Sequence, residues 1–180
     1  ELKSGEDRPL LYSRELLSDA QIYATLQKGR DDDSKKLRDV FKDQKKIFEK
    51  LLTFRHTGNL QVYAVLLALI KRYEKDKNKF KPKALDRILE GLWNFCFRSR
   101  FVSINPSKYE KLFADFCKDI NFGKSDQIAN KGNEFLKKLS KYVDSESQFI
   151  ENFIEDFTYY DKELVVIVFE KLFELENKKI

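Results

Sequence analysis

The sequence predicts an all-α protein, an irregular bundle of about eight helices without a sheet. Only 6 glycines and 3 prolines occur in 180 residues, so few positions interrupt regular structure. Strict alternation of apolar and polar residues, the pattern of a half-buried strand, is almost absent. Apolar residues instead recur at steps of three and four, which places them on one face of a helix.

The first third of the chain predicts two helices. The first runs from about residue 13 to residue 28, and its apolar side chains are expected to face the core: Leu16, Leu17, Ala20, Tyr23 and Ala24. The second is a single helix over residues 34–54, because the helical spacing continues throughout this segment. Its apolar stripe consists of Leu37, Val40, Phe41, Ile47, Phe48, Leu51 and Leu52.

The most apolar segment of the chain, residues 60–75, predicts the central helix of the bundle. Between residues 60 and 70 the only polar side chain is Gln61, so this helix has too little polar surface to lie on the outside. Pro82 suits the first turn of the next helix, and the Asn-Pro pair at residues 105–106 repeats this start signal before another helix.

The best internal break lies at residues 121–133, which contain glycine, serine and asparagine but few large apolar residues. We therefore expect a main bundle over residues 1–122 and a C-terminal helical extension over 123–180 that packs on it, or one domain that includes both. The last helix is predicted over about residues 161–176. Its β-branched core also favours a strand, but the helical spacing continues past it.

Composition places the chain among globular proteins. Hydrophobic residues make up 42% of it, too many for a disordered chain, and two cysteines are too few for a disulfide scaffold. The longest apolar run is too short to cross a bilayer, and residues 1–11 contain no apolar segment of signal-peptide length. We expect a soluble, cytoplasmic protein. Because the chain starts at Glu1 and contains no methionine, we also expect a piece of a longer protein or one without its start.

No residue pattern predicts a catalytic, metal or cofactor site, so we do not expect an enzyme. The single histidine, His56, lies at a predicted helix end, which favours an interaction with the helix dipole. Cys96 and Cys117 lie on separate predicted helices, which favours two core thiols over a redox pair. The Gly-Lys-Ser sequence at 123–125 lacks the earlier glycine of a phosphate loop, and the acidic run 31–33 favours a helix cap over a calcium loop.

The middle of the chain is basic and its end is acidic. Residues 71–83 carry seven Lys and Arg against two acids, whereas residues 151–176 carry eight acids against two lysines. The basic segment is either a phosphate-binding surface or a solvated lysine-rich loop. Tyr73 and Phe80 lie among the lysines and would suit either base stacking or anchoring of the loop to the core. If the segment binds DNA, the candidate residues are Lys71, Arg72, Lys75, Lys77, Lys79, Lys81, Lys83, Arg98 and Arg100.

Four segments of the chain resemble known helices in order and spacing. Residues 62–73, VYAVLLALIKRY, resemble the Y-x-x-L-L-A-L-x-x-R-Y helix of the GmrSD-type modification-dependent restriction endonucleases. Residues 88–98, ILEGLWNFCFR, are similar to the family's next helix, which ends in a phenylalanine–arginine step. Residues 111–116, KLFADF, are similar to a third helix, and residues 168–177, VFEKLFELEN, to the helix upstream of the HNH nuclease motif.

The resemblance implies a parent protein with a ParB/sulfiredoxin-like NTPase domain, a helical middle region and a C-terminal HNH nuclease domain. The aspartate–glycine–glutamine signature of the first domain and the HNH residues do not occur in this chain, so no catalytic residue is carried over. The chain would be the connecting domain of a phage-defence DNA endonuclease, with the flanking domains and DNA as partners. The alternative is a helical protein–protein interaction module unrelated to nucleases, which would have an exposed apolar patch.

Overall fold

The computed structural model describes residues 8–28, 35–102, 104–143, 145–156, 162 and 165–170. These ranges contain helices and no strand, which confirms the predicted all-α fold. The acidic run 31–33 and most of the predicted last helix lie outside the described residues, although 165–170 are helical. The α-helices are α1 (Arg8–Lys28), α2 (Lys35–Val40), α3 (Lys45–Thr53), α4 (Val62–Lys75), α5 (Pro82–Phe101), α6 (Ser107–Phe122), α7 (Ile128–Ser140) and α8 (Glu146–Asp156). Single 3-10 turns occupy Phe54–Thr57 and Ser125–Gln127.

Helix α4 lies at the centre of the bundle, as its composition predicts. It packs against α1, α5 and α6, and Leu66 and Leu69 are completely buried. A helix with neighbours on several sides needs apolar residues around most of its circumference. The helix begins at Val62, however, and Leu60 is 68% exposed in the turn before it. Neither α4 nor any other helix in the described part of the chain is long and apolar enough to span a membrane.

Aromatic side chains connect α5, α6 and α7 within one core. Phe95 of α5 meets Tyr109 of α6 edge-on, with 5.1 Å between the ring centroids. Phe116 of α6 stacks on Phe135 of α7 with 4.1 Å between the centroids. Aromatic pairs of this kind contribute about 0.5–1.5 kcal/mol beyond the area that they bury. Helix α7 therefore shares its core contacts with the helices that precede residue 123.

The predicted single helix over residues 34–54 is wrong, because a turn at residues 41–44 separates α2 from α3. Gln44 leaves helical geometry, with φ −134° and ψ 53°. In a continuous helix Ile47 would lie about 120° around the axis from Phe41. The turn allows both side chains to enter the core, where Phe41 stacks on Tyr73 of α4 at 5.2 Å.

The predicted inward face of α1 is also wrong. Its members Leu16, Leu17, Ala20 and Tyr23 are exposed, and Ala24 is only half-buried. The buried apolar side chains that the structure describes in this helix are instead Ile22 and Leu26. Both sets of residues have helical spacing, so periodicity alone does not show which face packs against the bundle.

The two ends of the bundle are built from different loops. At one end, hydrogen bonds connect the end of α2, the end of α4 with the loop 76–81, and the loop 123–127. At the other end, the segment 54–61 is bonded to the end of α5 and the start of α6. The 14 residues of α4 run from one end to the other, a length of about 20 Å.

Candidate nucleic-acid interface

The predicted basic segment forms the end of α4, the loop 76–81 and the start of α5. Tyr73 and Phe80 are 4% and 1% exposed, and their rings meet edge-on with 6.3 Å between centroids. Burial, together with the nearby Asp43 carboxylate, raises the pKa of Tyr73. The two rings therefore anchor the loop to the core. The alternative prediction, that they stack on bases, is wrong because buried rings offer no face to a base.

Asp76 fixes the loop to its neighbours. Its carboxylate lies 3.1 Å from Nε of Arg72 and accepts a hydrogen bond from the hydroxyl of Ser125. Its backbone carbonyl accepts hydrogen bonds from the N–H groups of Lys79 and Phe80, each at 2.9 Å. The hydrogen bond from Ser125, and then the charge of Arg72, hold the pKa of the Asp76 carboxyl below its ordinary value despite partial desolvation.

These contacts predict a pH-dependent contribution of Asp76 to stability. A carboxyl group whose pKa is lower in the folded protein than in the unfolded protein stabilises the fold at pH values above its pKa in the unfolded protein. This contribution is lost as the pH falls through its pKa in the folded protein. We expect Asp76→Asn to melt at a lower temperature than wild type at about pH 6, and the difference to narrow towards about pH 2.5. Thermal melting followed by circular dichroism measures this difference.

Asp126→Asn serves as the control for this prediction, because Asp126 is exposed on the neighbouring turn. The melting temperature of Asp126→Asn should equal that of wild type across the whole pH range. A melting difference for Asp76→Asn that is the same at both pH values would show that the carboxylate charge does not contribute to stability.

Two lysines from outside the predicted basic segment lie at the same end of the bundle. Lys77 donates a hydrogen bond from Nζ to the carbonyl of Val40 at 2.9 Å, so the loop 41–44, which carries the exposed Lys42, lies beside the loop 76–81. The bond between Asp76 and the 3-10 turn 125–127 likewise brings the exposed Lys124 to this end. No spacing in the sequence connects these two lysines with the basic segment, because only tertiary contacts bring them together.

We define the basic end as the exposed lysines within residues 41–44, 74–83 and 123–127, which are the three loops together with the helix ends that flank the middle loop. Three exposed acids lie among them: Asp43, Glu74 and Asp126. Lysines thus outnumber exposed acids by seven to three, and the surface has an excess of positive charge. The lysines of the basic end are Lys42, Lys75, Lys77, Lys79, Lys81, Lys83 and Lys124.

Two predicted DNA-binding residues, Lys71 and Arg72, make ion pairs within the protein. Lys71 Nζ lies 2.9 Å from a carboxylate oxygen of Asp19 on α1. Arg72 pairs with Asp76 and also donates a hydrogen bond from Nη2 to the carbonyl of Gly123 at 2.6 Å. Both side chains therefore hold helices and loops together.

Arg98 and Arg100 lie near the other end of the bundle, because α5 carries them more than 20 Å from Lys83, by about 1.5 Å per residue. The guanidinium carbon of Arg98 lies 4.8 Å from the centroid of the Phe149 ring. Arg100 donates a hydrogen bond from Nη1 to the carbonyl of His56 at 2.8 Å. The structure therefore does not bring these two arginines together with the predicted lysines.

The chemistry available at the basic end is that of ammonium groups, which attract and hydrogen-bond phosphate oxygens. The two thiols lie elsewhere: Cys96 is fully buried and Cys117 half-buried, and burial raises the pKa of both. A raised pKa reduces the reactive thiolate form. In the described part of the chain, no three His, Cys, Asp or Glu residues are grouped so that they could hold a metal ion.

The chain matches no family model, no curated protein and no solved structure. The resemblance to the GmrSD-type family therefore stays a prediction from the sequence. Because a helical bundle does not by itself imply a function, we infer function from the charged groups of the basic end.

Proposed function

We propose that this chain is a helical connecting domain of a prokaryotic DNA restriction endonuclease, and that it contacts DNA through the basic end without catalytic activity of its own. The observation that best supports the DNA contact is the set of seven exposed lysines, five on three separate loops and two on the helix ends that flank the middle loop. The connecting role is implied by the family resemblance, in which an NTPase domain and an HNH nuclease domain flank this region and act as its partners.

The lysines suit contact with the phosphate backbone better than recognition of bases. An ammonium group is a compact charge on a flexible stem and lacks the planar fork by which arginine reads guanine. Tyr73 and Phe80 are buried, so neither ring provides a stacking surface for a base. Neutralisation of phosphates releases condensed counterions, and the resulting affinity is independent of sequence and decreases steeply with salt.

A connecting role suits the dimensions and packing of the bundle. Helices α4, α5 and α6 have 14, 20 and 16 residues, which correspond to lengths of about 20–30 Å. Their side chains share one core, so the helices hold their relative positions. Such a body would keep two flanking domains at a constant distance while its basic end contacts the DNA.

Binding of a fluorescent duplex of about 20 base pairs, measured by anisotropy at about 50 mM salt, tests the proposed contact. Lys75, Lys79, Lys81 and Lys83 are exchanged together for glutamate. We expect wild type to bind and the variant to lose affinity by at least about 30-fold, because four attractions become four repulsions. All four side chains are exposed, so the helicity of the variant should be unchanged.

A second charge-reversal variant controls for net charge. Lys108, Lys111, Lys137 and Lys138 are exposed on α6 and α7 near the opposite end of the bundle. Their exchange for glutamate changes the net charge equally, but we expect a loss of no more than about threefold, since charges beyond a Debye length are screened. Equal losses in the two variants, or no binding by wild type, would exclude a DNA contact at the basic end.

A protein–protein interaction module is the second candidate function, and exposed apolar side chains favour it. On α1, Tyr12, Leu16 and Leu17 are 57–68% exposed, and on α8, Ile150 and Ile154 are 48% and 68% exposed. Exposed apolar groups that form a patch mark interaction surfaces. The reading frame of the parent gene distinguishes the two candidates: an HNH motif downstream supports the connecting role, and its absence there supports the interaction module.

A further inference from the structure

Phe122, the last residue of α6, has its aromatic ring almost completely in solvent. It is 87% exposed, more than any other large apolar side chain in the described part of the chain. Ile120, two residues earlier on the same helix, is completely buried. An exposed ring keeps a large apolar surface in contact with water, and a ligand that covers it gains from its burial. Single exposed apolar residues are nevertheless common, so the surroundings of the ring decide whether it has a role.

Gly123 fixes the backbone from which this ring projects. The N–H of Gly123 donates to the carbonyl of Asp119 at 2.9 Å and closes the last turn of α6. A Cβ at residue 123 would collide with the same carbonyl oxygen, so this close approach requires glycine. The carbonyl of Gly123 in turn accepts the hydrogen bond from Nη2 of Arg72 at 2.6 Å. The backbone beside Phe122 is therefore bonded to both α6 and α4, and little order remains to be gained on binding.

The same contacts place Phe122 next to the basic end. The bond from Arg72 ties the residue that follows Phe122 to the last turn of α4, which also carries Lys75. Lys124 follows Phe122 by two residues, and both lysines are exposed. An exposed aromatic ring thus stands beside exposed ammonium groups from two separate parts of the chain.

A flat apolar ring beside ammonium groups has the chemistry of a site for a nucleic-acid strand with unpaired bases. The ammonium groups attract phosphates, and the ring stacks on the face of a base. In a duplex the neighbouring base pairs already cover the faces of each interior base, and a protein ring reaches such a face only by unstacking it. Phosphate contact alone does not require single strands, but a stacking ring does favour them.

We propose that the basic end binds single-stranded DNA, with the ring of Phe122 stacked on an unpaired base and the lysines against the phosphates. The inference rests on the proposed DNA contact and names its substrate class. Tyr73 and Phe80 are buried, so Phe122 supplies the exposed ring that the basic segment itself lacks. Because every base has an aromatic face, the stacking is independent of sequence, as phosphate contact is.

Fluorescence anisotropy at about 50 mM salt with three DNA probes tests the stacking. The first probe is an oligothymidine strand of about 20 nucleotides, and the second is a strand of the same length in which every base is absent. The third is a duplex of about 20 base pairs. The strand without bases keeps the phosphates but has no surface on which Phe122 could stack. We expect wild type to bind oligothymidine about tenfold more tightly than the strand without bases.

Three substitutions of Phe122 distinguish stacking from attraction of charge. Phe122→Ala should weaken binding of oligothymidine by about tenfold. Its affinity for the duplex and for the strand without bases should change by no more than about twofold, because the lysines remain. Phe122→Trp should bind oligothymidine at least as tightly as wild type, since an indole also stacks. Phe122→Leu should resemble Phe122→Ala, because its side chain is apolar but has no flat aromatic face.

Leu60→Ala is the matched control, because it removes an exposed apolar side chain at the opposite end of the bundle. It should bind all three probes as wild type does. Unchanged binding of oligothymidine by Phe122→Ala, or by Phe122→Leu, would overturn the stacking and leave the duplex contact in place. Failure of wild type to bind any of the probes would overturn the DNA contact at the basic end together with this inference.

Discussion

Replacing Leu66 by alanine is expected to lower the free energy of unfolding by about 2–5 kcal/mol. Leu66 is 0% exposed on α4, the helix that α1, α5 and α6 surround. The substitution removes buried methyl groups and leaves a cavity that helices packed on several sides cannot close. Urea denaturation followed by circular dichroism measures the change as a shift of the midpoint at a constant slope.

Leu60→Ala is the matched control for Leu66→Ala. The same side-chain atoms are removed, but Leu60 is 68% exposed and lies in the turn before the helix. We expect its free energy of unfolding to stay within about 0.5 kcal/mol of the wild-type value. Similar decreases in the free energy of unfolding for Leu66→Ala and Leu60→Ala would show that α4 is not the centre of the bundle.

Replacing Phe135 by alanine is expected to destabilise the whole bundle by about 3–5 kcal/mol. Phe135 is 3% exposed on α7, stacks on Phe116 and meets Phe113 edge-on at 5.6 Å, both rings belonging to α6. Because these rings belong to one core, loss of the Phe135 ring should destabilise α5 as well. Trp93, the only tryptophan, is buried on α5 and reports this effect through its fluorescence.

Two observations test the prediction for Phe135. Fluorescence of Trp93 and circular dichroism should show the same lowered urea midpoint in the variant, as expected of one cooperative unit. Phe122→Ala is the control, because Phe122 is 87% exposed at the end of α6, and its midpoint should remain close to wild type. A normal Trp93 midpoint in Phe135→Ala would instead mean that α7 unfolds separately from the main bundle.

The elements that the sequence predicted correctly are those whose local residue pattern is compatible with only one structure. Helix α4 has apolar residues around most of its circumference, and only a central position buries them. Pro82 stands at the first position of α5, where a missing N–H has no cost and the ring favours the helical φ. These signals act within a few residues and do not depend on the rest of the fold.

Both incorrect predictions about helices depend on tertiary packing, which the local sequence does not determine. Helix α1 has two apolar stripes, and its neighbours bury the one with Ile22 and Leu26 while the one with Leu16 stays exposed. The turn at 41–44 interrupts a regular helical pattern because Phe41 stacks on Tyr73, which is far away in the chain. The residue pattern of a single sequence shows neither which face of α1 is buried nor that Phe41 contacts Tyr73.

The candidate site was predictable only where it is continuous in the chain. The lysines of residues 75–83 form one segment, but Lys42 and Lys124 join them through contacts of Val40 and Ser125 with this segment. Charge predicts attraction to phosphate, but the fold decides which charges share a surface.

A titration of the isotope-labelled domain with duplex DNA, followed by amide chemical shifts in nuclear magnetic resonance spectra, tests the central claim most directly. At about 50 mM salt we expect the largest shift changes at Lys42, at residues 75–83 and at Lys124. The segment 54–61 should change little, because about 20 Å of helix separates it from the basic end. Shift changes confined to that segment or to α1, or no changes at a saturating amount of duplex, would contradict a DNA contact through the basic end.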